Sequence, residues 1–421
     1  MTFSYSLQIS HAKFFSFSRL LVIWRASIYK LIWPELLVFL SVYYALAMIY
    51  RLGLTEEYQK EIFESVCVYA AQGLKVIPLS FLLGFYVSLV VGRWWNMYKI
   101  LTWIDEFALV VSSQVHGTDN TTRMARRAFV RWYNLMSVLV YRAVSVPVLK
   151  RFPTMKHIRN AGLLTDGELK IYESVPSPHT KFWLPCIWAM NLATTLRDNK
   201  TVTKDLSHRY IMERFQVHRQ FCQDILSYDW VSIPLVYTQV VTIACYTYFL
   251  CSVLGRQYLD PTRGYDSHVI DKYFPVLVVL EFFFYFGWMK VAQAIINPYG
   301  GDDDDFELNY IIDRNVQVGF ILVDQLHAQI PNLEKDPYWD DTYADLPYTK
   351  STMHLRRRRP WNGSTDKVKV NTKDKLVDSA TNEIPGQDSV YRANDILYTP
   401  NKDGESFPMM QTQKCRETHS L

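Results

Sequence analysis

The sequence predicts an all-α membrane protein with four membrane-crossing helical segments and a large helical region in the cytosol. Three observations predict it. Four runs of seventeen to twenty-five residues are almost free of charge, the length a helix needs to cross a bilayer. The charged stretches between and after them keep a helical apolar period rather than the composition of a linker. Apolar residues make up 49% and aromatic residues 15% of the 421 residues while the mean hydropathy stays at −0.05, so apolar and charged segments are segregated along the chain.

The first thirty residues carry Lys13, Arg19, Arg25 and Lys30 and no acid. Met1–Lys13 has no sustained apolar core, so no cleavable signal peptide is expected. The first span, residues 31–50, holds a single charge, Glu35, whose carboxylate is expected to face protein or the interface. Residues 51–75 carry three basic and four acidic side chains. By the positive-inside rule the basic N-terminus stays cytoplasmic and this stretch lies outside.

The second span, residues 76–92, is flanked by Lys75 and by Arg93, Trp94 and Trp95, which suit interfacial anchors. Ile77, Phe81 and Phe85 recur at i, i+4 and i+8 and share one face of a helix. Around a common axis such a stripe makes an apolar collar, and constrictions of this kind gate ions by dewetting. The positive edges of phenyl rings suit a passing anion. The same spacing also describes a helix-packing seam.

Residues 93–229 hold nineteen Lys or Arg against eleven Asp or Glu. Apolar periodicity runs through 103–115, 124–146 and 206–226, which predicts amphipathic helices packed on one another in the cytosol. The third span, residues 230–254, has no charge, but Pro234, Gln239 and several hydroxyls predict that one face meets protein or a water-filled cavity. The fourth, residues 273–289, carries Glu281 alone. Residues 290–340 return to the cytosol with helical periodicity over 306–327. From 341 to 421 apolar clusters vanish, and this tail, with its basic block at 356–359, is expected to be disordered.

Asp302 to Asp305 stand in a row after Asn297-Pro298-Tyr299-Gly300-Gly301, with Glu307 close behind. Calcium takes about six to eight oxygens, from carboxylates, carbonyls and water, and a turn followed by acids offers both protein kinds. It is not an EF-hand. Acids at a helix start also offset the macrodipole, so calcium site and helix cap both remain open. The six cysteines and ten histidines form no CxxC, HExxH or other metal-ligand spacing, and no GxSxG or P-loop occurs. The net charge of +4 and the lack of any RNP or zinc-finger signature give no reason to expect a nucleic-acid partner.

Five stretches in order resemble the bestrophin family of calcium-activated anion channels: FSRLLVIWRASIYKL from Phe17, IPLSFLLGFYVSLVVGRWWN from Ile77, KRFP from Lys150, YDWVSIPLVYTQVV from Tyr228 and INPYGGDDDDFELNYIIDRN from Ile296. They cover residues 1 to about 340. The resemblance implies a homopentamer around one pore, conducting chloride and other small anions, not an enzyme. It puts the pore neck on Ile77, Phe81 and Phe85 and a lower aperture near Leu206. It implies a calcium ion held by the carboxylates of Asp302 and Asp305 and by backbone carbonyls at Ala294, Asn297 and Ser10. The plasma membrane, with both termini cytoplasmic, is the expected location. A non-conducting membrane scaffold and an anion transporter are the competing expectations.

Overall fold

The computed structural model describes residues 3–10, 17–263, 265, 274–356, 363–365 and 368–369, and helices are the only regular secondary structure among them. They are α1 Ile28–Met48, α2 Glu57–Val76, α3 Leu79–Lys99, α4 Asp105–Gln114, α5 Asn120–Val144, α6 Val146–Arg151, α7 Met155–Asn160, α8 Asp166–Ser174, α9 Leu184–Asp198, α10 Asp205–Trp230, α11 Leu235–Gly255, α12 Val276–Ile295 and α13 Leu308–Phe320. Local chemistry marks several starts. The Ser27 hydroxyl accepts from Lys30 N–H at α1, the Asp119 carboxylate accepts from the Thr121 and Thr122 amides at α5, and Thr165 with Glu168 forms a capping box at α8.

The chain divides into a compact unit ending at Pro331 and a second unit from Asn332 onward. The first holds two large hydrophobic cores and a small cluster of Tyr50, Cys67 and Leu259. One joins α1, α3, α11 and α12 through residues such as Ile32, Phe39, Leu83, Val90, Cys245, Phe249, Phe282 and Phe286. The other gathers α4, α6 to α10 and α13 around α5, which is buried on every side from Tyr133 to Tyr141 and is therefore a central helix rather than an amphipathic surface one. Phe107, Phe129, Tyr133 and Phe215 pack ring against ring at its heart, with Phe107 and Phe215 centroids 4.5 Å apart. Residues 357–359 of the basic block and the greater part of the expected disordered tail lie outside the described residues.

By length and apolar composition α1, α11 and α12 can each cross a bilayer, and α2 with α3 forms a pair bent by 44° at Ile77–Pro78 that passes the same test when counted as one broken span. The structure differs from the sequence reading in how the second crossing is built. Residues 57–76 form a full helix lying against α11, not just an outer segment before a span. Their charge masks this, because the buried Glu64 carboxylate is satisfied locally by the Tyr50 and Tyr265 hydroxyls and by Arg263. Hydropathy windows count such a carboxylate as water-seeking. Two boundaries also shift. Trp230 closes α10, so the third crossing begins at Leu235 after Pro234. The fourth extends to Ile295, where Lys290 pairs with Glu35 of α1, giving that carboxylate a protein partner.

Candidate functional site: an exposed phenyl pair and an acidic turn

The stripe read from the sequence is split by the bend. Ile77 lies in the break before α3, half-buried against the membrane core, while Phe81 and Phe85 lie on the first turns of α3. The opposite face of α3 is packed: Leu79, Leu83, Tyr86, Val87 and Val90 are buried. Phe81 and Phe85 point away from the subunit, 63% and 61% exposed, with ring centroids 4.7 Å apart. A packing seam within one subunit would bury them, and here they are the outward ridge. Gly84, between them, faces the Trp288 ring of α12. Leu206 sits in the first turn of α10, 75% exposed.

The second site begins where α12 ends. Pro298 and the fully buried Tyr299 turn the chain inward, and Phe306 N–H returns to the Pro298 carbonyl at 2.8 Å, closing a loop around the acidic run. Within it Asp302 N–H donates to Asp305 Oδ2 at 2.7 Å and Asp305 N–H to the Asp302 carbonyl at 3.3 Å. Asp302 and Asp305 are thus brought together, with Asp305 only 4% exposed. A Cβ at position 300 would stand 2.6 Å from Asp305 Oδ2. Gly300 therefore makes the cradle possible, a role the sequence signalled only as part of a turn.

The electrostatics divide the run. Burial raises the pKa of Asp304, and the neighbouring Asp303 and Asp302 add to it. Burial likewise raises that of Asp305, outweighing its bond from the Asp302 amide, and Asp302 and Asp304 push the same way. Asp303 goes down, held by the Lys30 ammonium, the Ala26 amide and Arg25. A cation beside Asp302 and Asp305 would relieve the crowding of the first group. The donors are all oxygen, which suits calcium or magnesium rather than zinc. Among the described residues no three Asp, Glu, His or Cys side chains converge as a ligand cluster, so a cation here needs backbone carbonyls as well. Ala294 lines a cavity of about 380 Å³ together with Asp302, Asp303 and Asp304. Asn297 is exposed at the turn, its Oδ1 accepting from Tyr299 N–H at 3.3 Å. Ser10 lies in a turn of the N-terminal segment, and that segment meets the run through Phe3 N–H and the Asp303 carbonyl, 3.1 Å apart.

Sequence reasoning missed the joint between these sites. Phe306, directly after Asp305, packs on Trp94 and Tyr98 at centroid distances of 5.4 and 5.7 Å. Both belong to α3, the helix that carries Phe81 and Phe85. The Trp94-Trp95 pair reads in sequence as an interfacial anchor, and nothing local shows that one ring also holds a loop two hundred residues away. His218 is a packing residue. It is buried against Tyr133 with ring centroids 3.5 Å apart, and burial pushes its pKa down to about 3.

The family model described as "Bestrophin, RFP-TM, chloride channel" matches residues 1–325. Human bestrophin-3 is 48% identical over 349 residues, which are 83% of this chain and 52% of that protein. Mouse bestrophin-2 is 46% identical over 374 residues, 89% of this chain and 73% of that one, and human bestrophin-1 is 44% identical, with 64% of its length covered. The chain thus spans about half the length of bestrophin-3. Among solved structures, a variant of a bacterial bestrophin homologue from Klebsiella pneumoniae aligns with a TM-score of 0.53 at 15% identity, covering 69% of this chain and 98% of that one. At that identity the likeness speaks for the fold.

Proposed function

This chain belongs to the bestrophin family, and from that membership we propose that it forms a chloride channel opened by cytosolic calcium. Five copies surround one pore, each turning Phe81 and Phe85 toward the axis, with Ile77 at the bend above or below them. The pore passes chloride and other small anions through the plasma membrane, with both chain termini cytoplasmic. The observation that carries this reading is the outward phenyl pair on a helix whose other face is packed. Exposed aromatic rings on a span need lipid, a neighbour or a pore beside them. Rings at the broken end of a span, beside the bend, suit a constriction better than a smooth lipid face.

Calcium would be held by the Asp302 and Asp305 carboxylates and by carbonyls at Ala294, Asn297 and Ser10. It supplies positive charge where carboxylates are crowded and Asp305 is buried. The protein side of the coupling is the ring contact from Phe306 to Trp94 and Tyr98, which ties the loop to the far end of the neck helix. From Phe85 to Tyr98 the helix is about 20 Å long, and a helix transmits displacement over that length as a nearly rigid rod. A closed-to-open equilibrium is shifted only as far as calcium binds one state better than the other. The apolar collar then passes weakly hydrated anions once wetted.

Single-channel recording of the full chain in lipid bilayers, across a calcium titration, tests the reading. Unitary anion currents that rise with calcium, and whose calcium dependence is lost in Asp305→Ala, are the expected result. A bilayer that stays silent at every calcium level points to a scaffold. Saturable flux without unitary steps points to a transporter.

A further inference from the structure

Asp303 stands apart from its three acidic neighbours. Its Oδ2 receives the Lys30 ammonium at 2.7 Å and the Ala26 backbone N–H at 3.3 Å, Arg25 Nε lies 3.7 Å from its Oδ1, and its own carbonyl accepts from Phe3 N–H. One residue of the acidic run therefore holds both the N-terminal segment and the first turn of α1. Ala26 adds a second observation. Its φ of 54° is left-handed, a conformation that a residue with a Cβ adopts at a cost and keeps only where its surroundings impose it. The next residue, Ser27, is the cap of α1, accepting from Lys30 N–H at 3.3 Å. Ala26, Ser27 and Lys30 thus form one strained entry to the membrane helix, and Asp303 grips it at both ends.

We infer that Asp303 is a positioning residue, the latch through which the acidic run sets the start of the first membrane helix. The inference rests on the calcium-gated reading above for its functional consequence, but the latch itself is made of this chain's residues alone. The Asp305 carboxylate turns in to the Asp302 amide, while the Asp303 carboxylate turns out to α1. Reordering of the loop around a cation therefore moves the Asp303 carboxylate relative to Lys30 and Ala26. The loop then has two outlets: Phe306 onto α3, and Asp303 onto α1. Selective loss of the second weakens opening without removing the cation.

The full chain in lipid nanodiscs is compared with Asp303→Asn and Lys30→Met, which break the ion pair from opposite sides, and with Lys30→Arg, which keeps it. Hydrogen exchange in calcium chelator reads the latch without channel activity. Both breaking variants are expected to speed exchange of the 26–30 amides about fivefold, as loss of a local bond does, and Lys30→Arg to leave it unchanged. Calcium affinity by titration calorimetry should stay within about threefold, while half-activating calcium in recordings rises about tenfold, a usual size for coupling between sites. Unchanged exchange and unchanged activation in both breaking variants overturn the latch. Calcium affinity falling in step with activation overturns it too, since Asp303 would then act as a ligand. If the parent chain passes no current, the channel reading fails, and the exchange measurement still decides the latch.

Discussion

Phe81 and Phe85 show what a single position does when its neighbours are already committed. Leu79, Leu83, Tyr86 and Val87 alternate with them along α3 and are buried, so the two phenyl rings have no place within their own subunit. Exposing a Phe side chain to water forgoes about 1.5–3 kcal/mol of burial, and rings placed in lipid or against copies of themselves recover it. Replacing Ile77, Phe81 and Phe85 together by alanine should widen the collar and yield anion current in calcium chelator. Patch recordings in which the triple variant keeps the parent's full calcium dependence would remove the neck from the gate. At the acidic turn the decisive residue is small: any side chain at position 300 would collide with Asp305 Oδ2.

Among the helices, a close backbone approach joins α11 to α2 and an ion pair joins α13 to α4. Gly255 at the end of α11 touches the backbone of α2, where a Cβ would stand 2.6 Å from Ala71 N, the tight crossing that small residues permit in membranes. In the core around α5, Arg314 of α13 makes a two-pronged pair with Asp105 of α4, and Asn315 Nδ2 donates to the Thr102 carbonyl at 2.8 Å. The Arg314 hydrogen bond is the main cause that holds the Asp105 carboxyl below its ordinary range. A depressed folded pKa stabilises the fold at pH above the usual carboxylate value and loses that contribution as the pH falls through the lowered one. Arg314→Met should therefore carry the pair's full cost at neutral pH, about 1 kcal/mol for this part-buried, two-pronged contact. The difference in unfolding midpoint between parent and variant should shrink as the pH drops below the carboxylate range, down to what the Arg314 stack on the Trp103 ring contributes, which unfolding followed at a series of pH values will check. A difference that grows toward acid would contradict the assignment.

For the molecule as a whole, one subunit is incomplete in a specific sense: its candidate pore face is a convex ridge and encloses nothing. A central pore needs copies, and cyclic assembly presents the same ridge of each to one axis. Light scattering or native mass spectrometry of the detergent-solubilised full chain should return a mass of five subunits of 49.4 kDa. A monomer or dimer that still conducts would end the central-pore reading.

The sequence by itself determined the fold class, because membrane crossings follow from run length and charge, and these are local quantities. It determined the order of the segments and the identity of the acidic turn, whose five-residue lead and four carboxylates are contiguous. It resolved neither the helix Glu57–Val76 nor the split of the neck stripe at Ile77, because a buried Glu64 reads as polar until Tyr50, Tyr265 and Arg263 are brought beside it. Only the tertiary structure decided that Phe306 rests on Trp94 and Tyr98 and that Asp303 holds Lys30 and Ala26. Those pairs lie more than two hundred residues apart in the chain, and no periodicity or composition encodes a contact that forms only when packing brings distant helices together.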